Sequence, residues 1–226
     1  MSEIEFVLAA VLVVLSYLAG SIPVGYLVGR YVFKTDLFVH GSRSMGATNA
    51  FRVLGARAGA GVFLADLLKG IVPALVAGLA MPSHPEIQAL AGLAAVVGHS
   101  WSFWVGLKGG RGVATAFGAA LVIFPIAVLV AVPIGAGLVI FLRYVSLGSI
   151  SGALASLGSG IAWYATGFWK SEWGLVFVAM VVTLILWQHR ANMQRLARGT
   201  ELRMAEWPTY LRSARVEDDV SGEAKN

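Results

Sequence analysis

The segment Gly41-Ser42-Arg43-Ser44-Met45-Gly46-Ala47-Thr48-Asn49-Ala50-Phe51-Arg52 combines glycines with hydroxyl, amide and guanidinium donors. Glycines let the backbone take positive φ and let amide N–H groups converge, which is how loops cradle phosphate oxygens. Ser42, Thr48, Asn49 and Arg52 add side-chain donors. Taken alone, this loop could equally be a glycine turn capping the next helix. A second segment pairs Gly98-His99-Ser100-Trp101 with Lys108-Gly109-Gly110-Arg111-Gly112-Val113-Ala114-Thr115. Three glycines interleaved with two cations, just before a helix, place free N–H groups and positive charge at one point, where an anion belongs. It is not a P-loop, because the Gly-Lys-Ser/Thr order and the preceding strand are missing. His99, at a helix end, fits capping or packing as well as binding. The third segment, His189-Arg190-Ala191-Asn192-Met193-Gln194-Arg195-Leu196, is followed by Gly199-Thr200-Glu201. If the last span runs on into this segment, spacings of three and four put His189, Asn192 and Leu196 on one face. A stop-transfer cluster accounts for the arginines. A fourth break, Arg143-Tyr144-Val145-Ser146-Leu147-Gly148-Ser149, offers Ser146 and Ser149, although such serines commonly bond back to their own helix. Many donors and few carboxylates describe a receptor for more than one phosphate group.

The elements that must position these segments are apolar. Of 226 residues, 58% are hydrophobic and 13% charged, which indicates an all-α integral membrane protein. Apolar runs cover 6–28, 58–80, 87–103, 113–141, 145–166 and 173–187. The first is long enough to cross a hydrocarbon core of roughly 30 Å. Its N-terminus bears Glu3 and Glu5 and no cation, so we read it as a retained helix rather than a signal peptide. The net charge of +5 needs no nucleic-acid partner, because cytoplasmic loops of membrane proteins collect Lys and Arg. All the basic residues except Lys69 and Lys170 fall in 29–57, 107–112, 143 and 189–226. Placing them on one side makes 113–141 cross twice as two short helices broken near Pro125 or Pro133. The expectation is seven transmembrane helices, N-terminus outside and C-terminus cytoplasmic. A six-helix alternative makes 113–141 one tilted span. Lys69 follows Asp66 by three residues, on one helix face, as a self-neutralising intramembrane pair or as part of the site.

Several chemistries are excluded. With no cysteine there is no thiolate nucleophile, disulfide or iron–sulfur cluster. No His-Glu-x-x-His motif occurs, and Asp36, Asp66, Glu201 and Glu206 lack metal-ligand spacing, so neither metal nor cofactor is expected. Five residues after His40, His84, His99 and His189 stand Met45, Ala89, Trp104 and Gln194, which removes the His-x-x-x-x-Asp acyltransferases. Tryptophans flanking the spans read as interfacial anchors.

Together the motifs resemble the bacterial acyl-phosphate:glycerol-3-phosphate acyltransferase family (PlsY), nearly to residue 205. Gly41, Ser42, Gly46 to Asn49 and Arg52 fit its first motif; Gly98, His99 and Lys108 to Thr115 its second; His189, Asn192, Arg195, Gly199 and Glu201 its third. Arg43-Ser44-Met45 stands where the family has Gly-Asn-Pro, Arg111 where it has Lys, and Ser102 where it has Pro. The resemblance implies seven spans in the bacterial inner membrane, a cytoplasm-facing site, and transfer of an acyl group from acyl phosphate to sn-glycerol 3-phosphate. The bilayer and both substrates are then partners, with the enzyme that supplies acyl phosphate a further one. It assigns Ser42, Arg52, Lys108, Asn192 and His189 to glycerol 3-phosphate. Gly46, Thr48, Asn49, Gly109, Gly110, Arg111, Gly112, Ser146 and Ser149 go to acyl phosphate. His189, Asn192 and Ser146 are the catalytic candidates, supported by Gly41, Gly98, His99, Arg195, Gly199 and Glu201. A transporter of a phosphorylated solute is the rival; a membrane phosphatase lacks a partnering constellation for its histidines. Residues 1–215 form one domain in this reading, and 216–226 a polar tail.

Overall fold

The computed structural model describes residues 1–204, and among them every regular element is helical. The expected tail 216–226 lies outside the described residues. The helices are α1 (Glu3–Ser21), α2 (Val24–Leu27, running into a π turn Val28–Val32), α3 (Ala47–Leu54), α4 (Ala56–Ala80) and α5 (Pro85–Ser100). They continue with α6 (Val113–Ile123), α7 (Pro125–Leu142), α8 (Val145–Ala165), α9 (Glu172–Gln188) and α10 (Arg190–Ala197).

Local chemistry sets these bounds. Ser2 caps α1 and Glu5 reaches back to the Ser2 amide, a reciprocal pair that satisfies two otherwise unpaired N–H groups. Pro23 interrupts the first apolar run and starts the short α2 turn. The expected break in 113–141 falls at Phe124, whose backbone leaves the helical region immediately before Pro125. Pro133 sits inside α7 without breaking it. Of the two helices expected to be short, α6 has 11 residues, but α7 has 18 and is long enough to cross alone.

Glu3–Val32, α4, α7 and α8 are each long and apolar enough to cross a membrane, and α9 qualifies together with α10. Their outer faces carry bare apolar side chains: Phe141 is 83% exposed and Ile4 81%. Such a surface is stable only against hydrocarbon or another apolar partner.

Without a hydrophobic drive between helices in lipid, close packing has to hold the bundle. Reciprocal glycines supply it. A Cβ on Gly20 would strike Ala95 of α5, and one on Gly98 would strike Tyr17 of α1. Gly70 and Gly118 hold α4 against α6 in the same way, and Gly135 and Gly148 hold α7 against α8. The main apolar core lies among α5, α6, α9 and the facing parts of α7 and α8, with Phe124 and Phe177 each 1% exposed.

Candidate active site

The four polar segments meet at one end of the bundle, where α5, α7 and α9 end and α6 and α8 begin. The first loop is organised by Asn49. Its Oδ1 accepts from the Ser42 amide at 2.8 Å, while Nδ2 donates to the carbonyls of Leu37, His40 and Ser44. The whole amide is thereby spent on loop backbone. Gly41, at φ +63, lies so close to Asn49 Oδ1 that a side chain there would collide. Arg43, standing where the family has Gly, adopts φ 53, a conformation glycine takes at no cost. This geometry sends Ser42, Ser44 and the buried Arg52 toward the second segment.

Gly109 and Gly110 fold back over the end of α5. The Gly110 amide donates to the His99 carbonyl at 3.0 Å, and a Cβ on Gly110 would occupy the His99 ring. Ser102, in place of the family proline, anchors the hairpin by donating its hydroxyl to the Ser21 carbonyl and its amide to the Lys108 carbonyl. Gly112 precedes α6 at φ +77. The Lys108 side chain is exposed, whereas Arg111 is turned inward. Burial pushes the Arg111 guanidinium down to about 10; Glu201 opposes this, and the charges of Arg195 and Arg52 add to it. Arg111 therefore stays charged at neutral pH among other cations, an arrangement that an anion relieves.

The third segment does not continue α9 straight, as the helical-face argument assumed: α10 departs at 58° from a bend at His189. That bend buries His189 and Asn192 to 1% and 2% exposure and leaves Leu196 half-buried. His189 Nδ1 lies 2.8 Å from the Ile185 carbonyl. A carbonyl only accepts, so Nδ1 carries the proton and the neutral ring leaves Nε2 as a base. Gly199, at φ +68, then turns the chain back, which returns Glu201 beneath α10. Glu201 accepts from Asn192 Nδ2 at 2.6 Å, Ser146 Oγ at 2.8 Å and Arg195 Nε at 2.7 Å. Burial alone would raise this carboxyl; the three hydrogen bonds and the Arg195 charge outweigh it and hold it below its usual value.

Two cavities open at this end. One, of ≈ 500 Å³, is lined by Gly41, Ser42, Arg43, Ser44, Arg52, Gly109, Gly110, Arg111, Gln188, Arg190, Asn192, Arg195 and Glu201, among others. The other, of ≈ 570 Å³, has a polar mouth of Ser42, Ser44, Gly46, Thr48, Asn49, His99, Arg111 and Gly112. Its apolar body runs between α6, α7, α8 and α9. Ser42, Ser44 and Arg111 line both, so a cationic compartment and a greasy one share a wall.

Most expected residues sort into these compartments. Ser42, Arg52 and Asn192 line the polar cavity. Gly46, Thr48, Asn49, Arg111, Gly112 and Ser149 line the apolar one, with His189 at its edge. Gly109 and Gly110 lie on the polar side instead. Lys108 and Ser146 line neither: Lys108 points to solvent and Ser146 is held by Glu201. Ser149 donates to the Val145 carbonyl at 2.9 Å, the back-bonding that the sequence allowed.

Two features escaped the sequence reading. Asp66 binds Lys69 at 2.7 Å, as the intramembrane pair required, but it also faces His99 Nδ1 at 3.5 Å, and both Asp66 and His99 line the apolar cavity. The cavity itself had a signal. Ala116 and Ala120, Ala127, Ala131 and Gly135, and Gly148, Gly152 and Ser156 all recur at spacing four, which clears one side of each helix.

A helical bundle with lipid-compatible outer faces, and a cationic cavity beside an apolar one with which it shares Ser42, Ser44 and Arg111, defines an integral-membrane-type protein with an anion-receiving site next to a greasy cavity. Residues 10–199 match the family described as glycerol-3-phosphate acyltransferase, and the chain belongs to that family. It is 41% identical over 196 residues to a glycerol-3-phosphate acyltransferase of Myxococcus xanthus, covering 87% of this chain and 100% of the relative. The corresponding enzyme of Thermoanaerobacter pseudethanolicus is 35% identical over 198 residues, covering 88% and 96%. Among solved structures, PlsY (YgiH), an integral membrane glycerol 3-phosphate acyltransferase in its glycerol 3-phosphate form, superimposes with TM-score 0.81 at 34% identity, covering 89% of this chain and 98% of that one. Its lysophosphatidic acid form gives TM-score 0.76 at 35% identity, covering 86% and 94%.

Proposed function

We propose that this protein transfers the acyl group of acyl phosphate to the sn-1 hydroxyl of sn-glycerol 3-phosphate, giving lysophosphatidate and inorganic phosphate. The shared wall of Ser42, Ser44 and Arg111 carries the reading. Glycerol 3-phosphate occupies the polar cavity with its phosphate toward Arg52 and Arg195. The acyl tail lies in the apolar cavity with its phosphate at the glycine-lined mouth. The acceptor hydroxyl and the acyl carbon then meet at Arg111. This is catalysis by placement and by charge at the developing oxyanion, and holding both partners aligned is worth about 7–11 kcal/mol in well-oriented systems.

The chemistry needs no covalent intermediate on the protein. Acyl phosphate is a mixed anhydride, so the hydroxyl oxygen attacks the acyl carbon directly, the carbon–oxygen bond to phosphate breaks, and phosphate leaves with the electron pair. The proton passes to the departing phosphate or to His189 Nε2. A His189→Gln variant that keeps most of its turnover assigns it to phosphate; a loss of about a hundredfold assigns it to the histidine.

In the membrane, we infer seven crossings by α1–α2, α4, α5, α6, α7, α8 and α9, with the site on the cytoplasmic side of a bacterial inner membrane. Supporting this, Arg30, Lys34, Arg57, Arg143 and Arg190 accompany the site segments at one end of the bundle. The far end is occupied by Phe124, Trp169 and Phe177, which favours transfer over transport. An enzyme that makes acyl phosphate must supply the donor.

Purified protein given acyl phosphate and labelled glycerol 3-phosphate tests the reading. Lysophosphatidate and phosphate should form in equal amounts. Vesicle uptake of the label without that product overturns it in favour of transport.

A further inference from the structure

The apolar cavity has a floor. On α8 its lining runs from Val145 at the mouth to Ser156, and on α9 from His189 to Phe177. On α7 it runs from Val139 to Ala127. Each path covers about three turns, roughly 16–18 Å at a rise of 1.5 Å per residue. At the deep end Phe177 is 1% exposed and Ala127 1% exposed, so both are wedged in the core and not free to swing aside.

Beneath them lies Phe124, the residue at which the chain breaks between α6 and α7. Its ring is seated on two glycines, since a Cβ on Gly160 or Gly174 would come within 3.0 Å of it. Trp169 backs it, with ring centroids 6.0 Å apart. The helix break thus has a second consequence besides letting the chain turn. It packs an aromatic plug into the buried cluster behind Ala127 and Phe177, at the deep end of the cavity lined by α6, α7, α8 and α9.

We propose that this floor, Phe177 over the Phe124 plug with Ser156 and Ala127 as its side walls, is a ruler that sets the length of acyl chain the protein uses. The proposal rests on the reading of the apolar cavity as the acyl site. Carbons of an extended chain advance about 1.3 Å each, so a depth of roughly 16–18 Å at the helical rise holds about a dozen carbons. Up to the floor each added methylene is buried, which is worth about fourfold in kcat/KM. Beyond it the chain must bend back or leave the cavity, and the gain stops.

Each of three proteins is assayed with a series of acyl phosphates of even length from eight to eighteen carbons and with labelled glycerol 3-phosphate: wild type, Phe177→Ala and Ser156→Leu. In wild type kcat/KM should climb with length and then break at about twelve to fourteen carbons. Phe177→Ala, which lowers the floor to the Phe124 plug, should move the break longer by about two to four carbons, and Ser156→Leu, which fills the cavity from another helix, should move it shorter by a similar amount. The two substitutions act in opposite senses from different helices, so a folding defect in one leaves the other decisive. Profiles of both variants that superimpose on wild type overturn the ruler, as does a wild-type profile still climbing at eighteen carbons. Absence of lysophosphatidate from wild type at every length overturns the acyl-transfer reading itself, and the ruler with it.

Discussion

The polar end of the molecule and its apolar body are held together by opposite means. At the polar end a few directional contacts fix the geometry: Asn49 ties four points of one loop, and Glu201 ties Ser146, Asn192 and Arg195. In the body directional contacts such as Lys69 to Asp66 and Gln88 to the Ala74 carbonyl are few, and helices are set chiefly by glycines that let backbones touch, such as Gly135 against Gly148. Each contact at the polar end has one residue that can serve it. The body needs only smallness at the right spacing. Chemical specificity therefore resides in residue identity at one end and in residue volume along the other.

Substitutions at the two ends should fail differently. Arg52→Ala is expected to have the largest effect, lowering kcat/KM for glycerol 3-phosphate by about 10²–10³, because the substrate dianion loses a buried charged donor. Activity near wild type would remove the first loop from the site. Gly148→Val should act through stability. Its branched side chain would meet the Gly135 carbonyl and Val139, costing about 1–3 kcal/mol of stability and lowering Tm. An unchanged Tm would show that α7 and α8 are not in backbone contact.

A pH comparison sharpens the polar half. Glu201 has its carboxyl held below the usual value in the folded protein, so its bonds add stability above the unfolded value. That contribution disappears as pH falls through the depressed folded value. Wild type should therefore be more stable than Glu201→Gln at neutral pH, and the two melting curves should converge in acid. Parallel curves down to pH 3 would contradict the network. The smallest effect is expected for Lys108→Ala, less than about threefold in kcat/KM, because this side chain lines neither cavity while Arg111 lines both. A hundredfold loss would mean that Lys108 turns inward when substrate binds.

The same contrast explains what could be read from sequence. A break at Pro125 or Pro133 was legible because proline carries its own backbone rule, though not which of the two it would be, and the Asp66–Lys69 pair because spacing three fixes a helical face. The loops were legible as anion receptors because glycine, arginine and asparagine announce themselves. Which cation faces inward was not. Lys108 and Arg111 differ only in their place on a hairpin, and that hairpin is set by contacts of Gly109 and Gly110 with α5. Ser146 was read as a ligand for the same reason: its partner Glu201, 55 residues further along the chain, is brought back by a turn at Gly199. The 58° bend at His189 also carries no local signal, since neither proline nor glycine stands there. The apolar cavity was spelled in small residues four apart, but small residues also serve packing.

The most direct test is a crystal structure with glycerol 3-phosphate and a non-hydrolysable acyl phosphonate bound together. The glycerol 3-phosphate should lie in the polar cavity between Arg52 and Arg195, with the acyl tail between α6, α7, α8 and α9. The sn-1 hydroxyl should lie about 3–3.5 Å from the acyl carbon, beside Ser42, Ser44 and Arg111. A tail lying on the outer face of the bundle, or two ligands separated by the wall those three residues form, would contradict the account.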